Sequence, residues 1–275
     1  MAEKYKLQSG SIQETLLLPL WGRAYESQRA NPRMKDPKAV EIIDRIDYDF
    51  PEPSWLQGLA QNGAIARLMY IDDMIRRFTA EHPRGTIVNI GCGLDTTFYR
   101  VDNGQQMFYE LDLPDVIEIR RALFEPDTER HVSIATSFLD TAYFEKIRVE
   151  DGLLFTACGV LMYFSEAQIK GFFIEATDYF KRCEFYFDVV SPLGLKTIKR
   201  SIIKQSGMDT IIPEGWGVKD AHAIAQWDSR FRVREYTRMY RDIRRGLPFL
   251  ERSILALSDR LNVGGMVHLQ AGEEQ

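Results

Sequence analysis

The sequence predicts an α/β protein built on a doubly wound, mostly parallel sheet, and three observations carry that prediction. A short apolar run, Ile87-Val88-Asn89-Ile90, reads as a buried strand and breaks at Gly91-Cys92-Gly93. A second run, Met107 to Asp112, reads as the next strand and carries the acidic residues Glu110 and Asp112 at its carboxyl end. Downstream, short apolar runs alternate with helical patterns, which is the signature of a sheet wound with right-handed crossovers. Ligands of such sheets sit outside the carboxyl ends of the strands, so the glycines and the acids are expected to face one crevice.

From the N-terminus, residues 1–85 show no convincing strand and are broken by prolines at 19, 32, 37, 51 and 53, which predicts a helical cap ahead of the sheet. The segment Glu14 to Ala24 is too apolar to stand free in water and is expected to pack on the core. Asp36 followed by Pro37 reads as an N-cap and first helical residue. Gly63 to Thr79 places Ile65, Leu68, Ile71, Ile75 and Phe78 at helical spacing, with Arg67 beside that face. Arg67 has two readings: a solvated partner of Asp72 or Asp73, or a guanidinium that grips the carboxylate of a bound amino-acid group.

After the second strand, Pro114 opens a helix through Phe124, and His131 to Thr136 reads as the third strand. Ser137, Phe138 and Asp140 follow at its carboxyl end, where an adenine ring is expected to lie. Leu153 to Ala157 is the fourth strand, continued by Cys158-Gly159-Val160, and Ser165 with Gln168 forms a capping box for the next helix. Phe185 to Val190 is the fifth strand. Leu193 to Gly207 reads as a basic helix and Pro213 to Gly217 as a turn-rich insertion, together a candidate substrate lid. Ala221 to Trp227 reads as a helix, and Phe231 to Tyr236 and Gly265 to Gln270 complete a seven-stranded sheet. The expected organisation is a single domain: cap 1–85, cofactor-binding core 86–192, lid 193–230 and C-terminal strands 231–275.

A chain of 275 residues with 45% hydrophobic composition can bury a substantial core. Its net charge of -5 gives no electrostatic footprint for nucleic acid. Cys92, Cys158 and Cys183 are widely spaced, which predicts neither a disulfide framework nor a zinc site. The four histidines show no ligand spacing, so no metal is expected. The N-terminus has no apolar leader, and no apolar run approaches the roughly 20 residues that span a bilayer, which predicts a cytoplasmic protein with no membrane partner.

The glycine loop points to a nucleoside cofactor. Asp112 lies 19 residues after Gly93, and its carboxylate can accept hydrogen bonds from both hydroxyls of a ribose. A dinucleotide fingerprint would have a third glycine where Thr96 stands, and Asp95 beside the helix start would repel a pyrophosphate. S-adenosylmethionine carries a sulfonium and an ammonium group instead, so the loop favours the methyl donor over a nicotinamide.

Five stretches, ETLLLPLWGRA, GAIARLMYIDD, VNIGCGLDTTFYR, YELDLPDV and GVLMYFSE, resemble the leucine carboxyl methyltransferase family, and most closely its bacterial branch of tetracenomycin-type polyketide O-methyltransferases. The resemblance covers about residues 14–190. It implies a class I methyltransferase fold, Rossmann-like, with Arg67 on the cofactor carboxylate, Gly91 and Gly93 along its methionine part, and Asp112 on the ribose with Glu110 as second candidate. It places Ser137, Phe138 and Asp140 near the adenine. Many relatives carry a glutamate where this chain has Cys158, which leaves the cofactor ammonium to Asp95 or to backbone carbonyls.

The expected activity is methyl transfer from S-adenosylmethionine to a carboxylate or hydroxyl of a small molecule, of polyketide-like kind. Such an enzyme mainly aligns nucleophile, methyl and sulfur, and a carboxylate acceptor needs no base. A hydroxyl acceptor would call on one, for which Tyr163 and His222 are the weak candidates. The competing readings are an NAD-dependent oxidoreductase and a non-catalytic cofactor-binding protein.

Overall fold

Short prolines and caps, rather than long periodic runs, shape the N-terminal region. The computed structural model describes residues 4–6, 13–50, 59–196 and 215–272. Within these, β1 (Tyr5–Lys6) is followed by α1 (Gln13–Ser27), α2 (Pro37–Asp44), β2 (Ile46–Asp47) and the long α3 (Leu59–Glu81). Asp36 caps α2 by accepting the Ala39 N–H at 3.0 Å, with Pro37 in the first turn. The cap is therefore not purely helical: β1 and β2 pair in parallel over two residues each, a contact too short to leave a period in the sequence. Leu17, Leu20 and Ala24 of α1 are buried against Ala39 and Ile42 of α2, as the apolar segment required.

The sheet follows the alternation that the sequence predicts. β3 (Thr86–Ile90) leads through α4 (Thr97–Val101) to β4 (Met107–Asp112), then through α5 (Pro114–Leu123) to β5 (His131–Ala135). From there the chain returns to β6 (Leu153–Ala157), crosses by α6 (Glu166–Phe180) to β7 (Arg182–Val190), and ends with β8 (Phe231–Arg238), α7 (Phe249–Arg260) and β9 (Gly264–Gly272). The strand order is β5-β4-β3-β6-β7-β9-β8, with parallel pairing from β5 to β7 and antiparallel pairing of β9 with both neighbours. The order reverses between β3 and β6, which opens a crevice at their carboxyl ends.

Both faces of the sheet are covered, so every residue of β3 and β6 is buried. The period of two sorts them. Ile87, Phe108, Leu154 and Tyr186 pack under α3 with Ile71, Ile75 and Phe78, whereas Val88, Tyr109, Phe155 and Phe185 pack under α6 with Phe172 and Phe173. The Ser165 capping box is formed, Ser165 N–H donating to Gln168 Oε1 at 3.0 Å.

The structure refines the C-terminal third: the helix expected over Ala221 to Trp227 is a 3-10 helix, Ala221–Gln226, and α7 lies in a stretch the sequence left unassigned. The predicted helix from Leu193 lies outside the described residues beyond position 196, as do Pro213 and Glu214 of the turn-rich insertion. Trp216 of that insertion is buried beside Phe187 and Trp227, so this end of it is core.

Candidate functional site

The carboxyl ends of β3, β4, β6 and β7 bring most of the predicted residues to one place. The chain leaves β3 at Gly91, with φ 62°, where a Cβ would lie 2.3 Å from Val160 Cγ2. Gly93 has φ 48°, and its Cβ would come within 3.2 Å of Leu16. Both glycines are thus demanded by the turn itself. The Gly93 N–H donates to Asp112 Oδ2 at 2.7 Å, and the Leu113 N–H donates to Asp112 Oδ1 at 2.8 Å. Asp112 is thereby fixed at the end of β4 and only partly buried. Burial raises its carboxyl above the ordinary range, against the pull of those two N–H groups.

Glu110 is placed differently from its neighbour. Two residues back on the same strand, it is fully buried, 3.0 Å from Arg120 and 3.4 Å from His131, and accepts from Asn89 at 2.9 Å. Its carboxylate holds the interior together and does not open on the crevice, which leaves Asp112 as the ribose candidate. Arg120 in turn donates to the carbonyls of Gly93 and Asp95 at 2.9 and 2.8 Å, so the glycine loop is tied to α5 from beneath.

Asp95 accepts from Asn89 at 3.0 Å and from the Thr96 N–H at 2.7 Å. Burial would raise its carboxyl, but Arg100 and Arg23 hold it below the ordinary range, so it stays ionised. These arginines belong to a buried network that sequence reading missed. Asp36 accepts from Arg23 and Arg100, both at 3.1 Å, and from the Thr96 hydroxyl at 2.5 Å, while Arg100 also grips Asp72 at 2.8 Å. An N-cap of the helical region thus also supports the loop after β3.

Arg67 pairs with neither Asp72, taken by Arg100, nor Asp73, which is 3.1 Å from Arg77. Its Nε lies 2.8 Å from Asp188 Oδ2 on β7. Burial would lower the guanidinium, but Asp188 opposite raises it, so Arg67 stays charged. Asp188 is 1% exposed, and its Oδ1 accepts the Gly159 N–H at 2.7 Å. Arg67 keeps 20% exposure, and its two terminal nitrogens have no hydrogen-bond partner among the described residues. Cys158 sits within electrostatic reach of Arg67, Asp188 and Asp95; burial pushes its thiol well up, so it is neutral. Nothing in FYFDVV marked Asp188 beforehand, because an acid inside an apolar strand gains meaning only from the cation opposite.

The adenine candidates are less convergent. Phe138 is a core ring, 4.7 Å from Phe164 and 5.1 Å from Phe172, both edge-on. Ser137 is partly buried, and Asp140 is exposed and caps the 3-10 helix Thr141–Lys146. Of the two weak base candidates, Tyr163 has its phenol raised by burial, and His222 is exposed on the 3-10 helix after Asp220. Among the described residues no cluster of metal-ligating side chains is present.

This geometry accords with the comparisons to known proteins. The pattern of the leucine carboxyl methyltransferase family matches residues 17–176. The tetracenomycin polyketide synthesis O-methyltransferase TcmP of Streptomyces glaucescens is 28% identical over 216 residues, 78% of this chain and 77% of its own. The S-adenosyl-L-methionine-dependent methyltransferase dpfgK of Gibberella zeae is 28% identical over 142 residues, 46% of each chain. Among solved structures, a Thermobifida fusca protein assigned as a methyltransferase superposes with TM-score 0.58 at 15% identity, covering 92% of this chain and 94% of its own. The cyclopropane synthase MmaA2 of Mycobacterium tuberculosis gives 0.51 at 12%, covering 97% and 100%. These findings set aside the oxidoreductase and the non-catalytic readings. The chain has the class I methyltransferase fold, belongs to the leucine carboxyl methyltransferase family, and is an S-adenosylmethionine-dependent methyltransferase.

Proposed function

We propose that the enzyme is an O-methyltransferase acting on a carboxylate or hydroxyl of a small, polyketide-like molecule, and that a carboxylate suits the site better. TcmP, whose name places it in tetracenomycin polyketide synthesis, supports the substrate class. What supports a carboxylate is that neither base candidate is positioned to act: Tyr163 is a phenol, protonated at neutral pH, and His222 lies exposed on the 3-10 helix after Asp220. A carboxylate is already ionised at that pH and needs no base.

The residues gathered at the crevice suit the carboxylate and the ribose of the cofactor. Asp188 pairs with the Nε side of Arg67 by charge at 2.8 Å, without hydrogen-bond geometry, which leaves the two terminal nitrogens to face a carboxylate in a planar, two-pronged contact. Asp112 accepts one backbone N–H at each oxygen and retains lone pairs for ribose hydroxyls. The ammonium falls to Asp95 and to backbone carbonyls, since the neutral Cys158 thiol lacks the charge. The adenine falls beside Ser137, Phe138 and Asp140. When bound, the cofactor supplies a methyl group activated by its sulfonium; the protein's part is to orient it and the acceptor. The substrate lid proposed for residues 193–230 is confined to the part before Trp216, which packs in the core.

The test is a methyl-transfer assay with aromatic acids and matched phenols. Methyl esters are expected, at a rate nearly flat from about pH 6 to 8, since a carboxyl with pKa near 4 is ionised throughout. Methylation confined to phenols, rising steeply with pH, would overturn the carboxylate reading. Asp112→Ala is expected to weaken S-adenosylhomocysteine binding about tenfold to a hundredfold, the loss of one charge-assisted hydrogen bond worth roughly 1.5–3 kcal/mol. Calorimetry reads this directly, and unchanged affinity in a folded variant would remove Asp112 from the ribose site.

A further inference from the structure

The most exposed apolar side chains of the described residues sit together on α7, beside a cleft lined by arginines. Phe249 is 82% and Leu250 72% exposed, and Ile254, Leu257 and Leu261 continue the stripe at helical spacing. The opposite face of α7 is anchored, with Leu255 buried and Asp259 accepting the Tyr240 N–H at 2.9 Å. Alongside the stripe, Arg241, Arg244, Arg245 and Arg252 line an open cleft of about 550 Å³.

The nearby acids neutralise this face only in part. Glu251 accepts from Asn62 at 2.6 Å, and Asp242 is 3.1 Å from Arg241. Asp259, 4.0 Å from Arg244, points inward. Arg245 and Arg252 have no ion pair or side-chain hydrogen bond among the described residues. A basic, apolar face on a protein of net charge -5 is a concentrated departure from the rest of its surface.

We propose that α7 and the preceding arginine loop dock this enzyme on an anionic lipid surface. Charge complementarity selects the occupant. Phosphates of a membrane answer the guanidiniums while acyl chains take up the Phe249–Leu261 stripe, both from one planar surface, which is how an interfacial amphipathic helix binds. A second copy paired two-fold on the same stripe would set arginine against arginine. This docking is peripheral: no described helix is long and apolar enough to cross a membrane. The sequence reading expected no membrane partner, because arginines scattered over positions 241–252 and a stripe with no preceding period show no pattern until α7 folds beside them.

The test is co-sedimentation with vesicles of phosphatidylcholine alone or mixed with phosphatidylglycerol. The enzyme is expected to bind the mixed vesicles, to ignore the neutral ones, and to be released by salt. Arg245→Gln with Arg252→Gln is expected to weaken binding about 25-fold, at roughly 1 kcal/mol or fivefold per arginine. Phe249→Ser with Leu250→Ser is expected to reduce it at least as much, and all four side chains are exposed. Binding lost only in the arginine variant would reduce the face to general charge attraction and overturn the proposal. Failure to bind the mixed vesicles would also overturn it, assigning the face to a second copy if Leu250→Ser dissociates a dimer and to an acidic protein if the enzyme is monomeric.

Discussion

Arg67→Ala is expected to lower the unfolding free energy by about 3–5 kcal/mol, because it leaves the carboxylate of Asp188 buried without its cation. Urea denaturation measures this. The same variant is expected to lose S-adenosylhomocysteine binding, but a destabilised protein cannot by itself separate a ligand contact from a damaged fold. The double variant Arg67→Met with Asp188→Asn separates them. The asparagine oxygen still accepts the Gly159 N–H, and no buried charge is left alone, so stability is expected to return to within about 1–2 kcal/mol of the parent. Cofactor affinity is expected to stay low. Adenosine, which lacks the carboxylate, is expected to bind parent and double variant equally. If stability and S-adenosylhomocysteine affinity recover together, Arg67 is a structural cation only. Arg67→Lys is expected to bind poorly as well, since an ammonium cannot pair with Asp188 and also offer two parallel donors.

Arg120→Ala is expected to be the most destabilising single change in the chain. It strips the partner from Glu110, which is fully buried, and frees the carbonyls of Gly93 and Asp95 at once. Breaking a buried ion pair costs about 3–5 kcal/mol, and each orphaned buried acceptor adds about 1–3 kcal/mol. The lost stacking of the guanidinium on Phe124, 4.3 Å from its ring centre, adds to this. Such a loss approaches the whole stability of an ordinary domain, so the variant is expected to express mainly as unfolded protein. Glu110→Gln has one amide oxygen for two donors, Asn89 and Arg120, so it keeps only one of the two bonds, and it is expected to fold with a smaller loss than Arg120→Ala. A soluble Arg120→Ala variant with an unchanged urea midpoint would refute this account of the loop.

The sequence by itself determined the sheet, because each strand carries its own evidence. Strands buried on both faces must be short and apolar, so Thr86–Ile90, Met107–Asp112 and Leu153–Ala157 are visible without knowledge of their neighbours. Caps are equally local: Asp36 and Ser165 bond to amides three residues away, and both were legible. Gly91 and Gly93 were legible as a turn for the same reason, since their positive φ is a property of the backbone.

Tertiary structure alone decided what the charges do. Glu110 and Asp112 stand two residues apart and look equivalent in the chain. The pairing of β4 turns both toward the same layer, yet only Glu110 meets Arg120, six positions farther along α5 than its start at Pro114, while Asp112 stays at the strand end with two backbone amides. Arg67 has acids within one or two turns of its own helix, and its partner is Asp188, 121 positions away on β7. An ion pair depends on distance in space and on burial, neither of which has a period in sequence. The exposed stripe of α7 followed the same rule: the stretch has no assignment in the sequence, and only the packing of Leu255 and Asp259 shows which face of the helix is left outside.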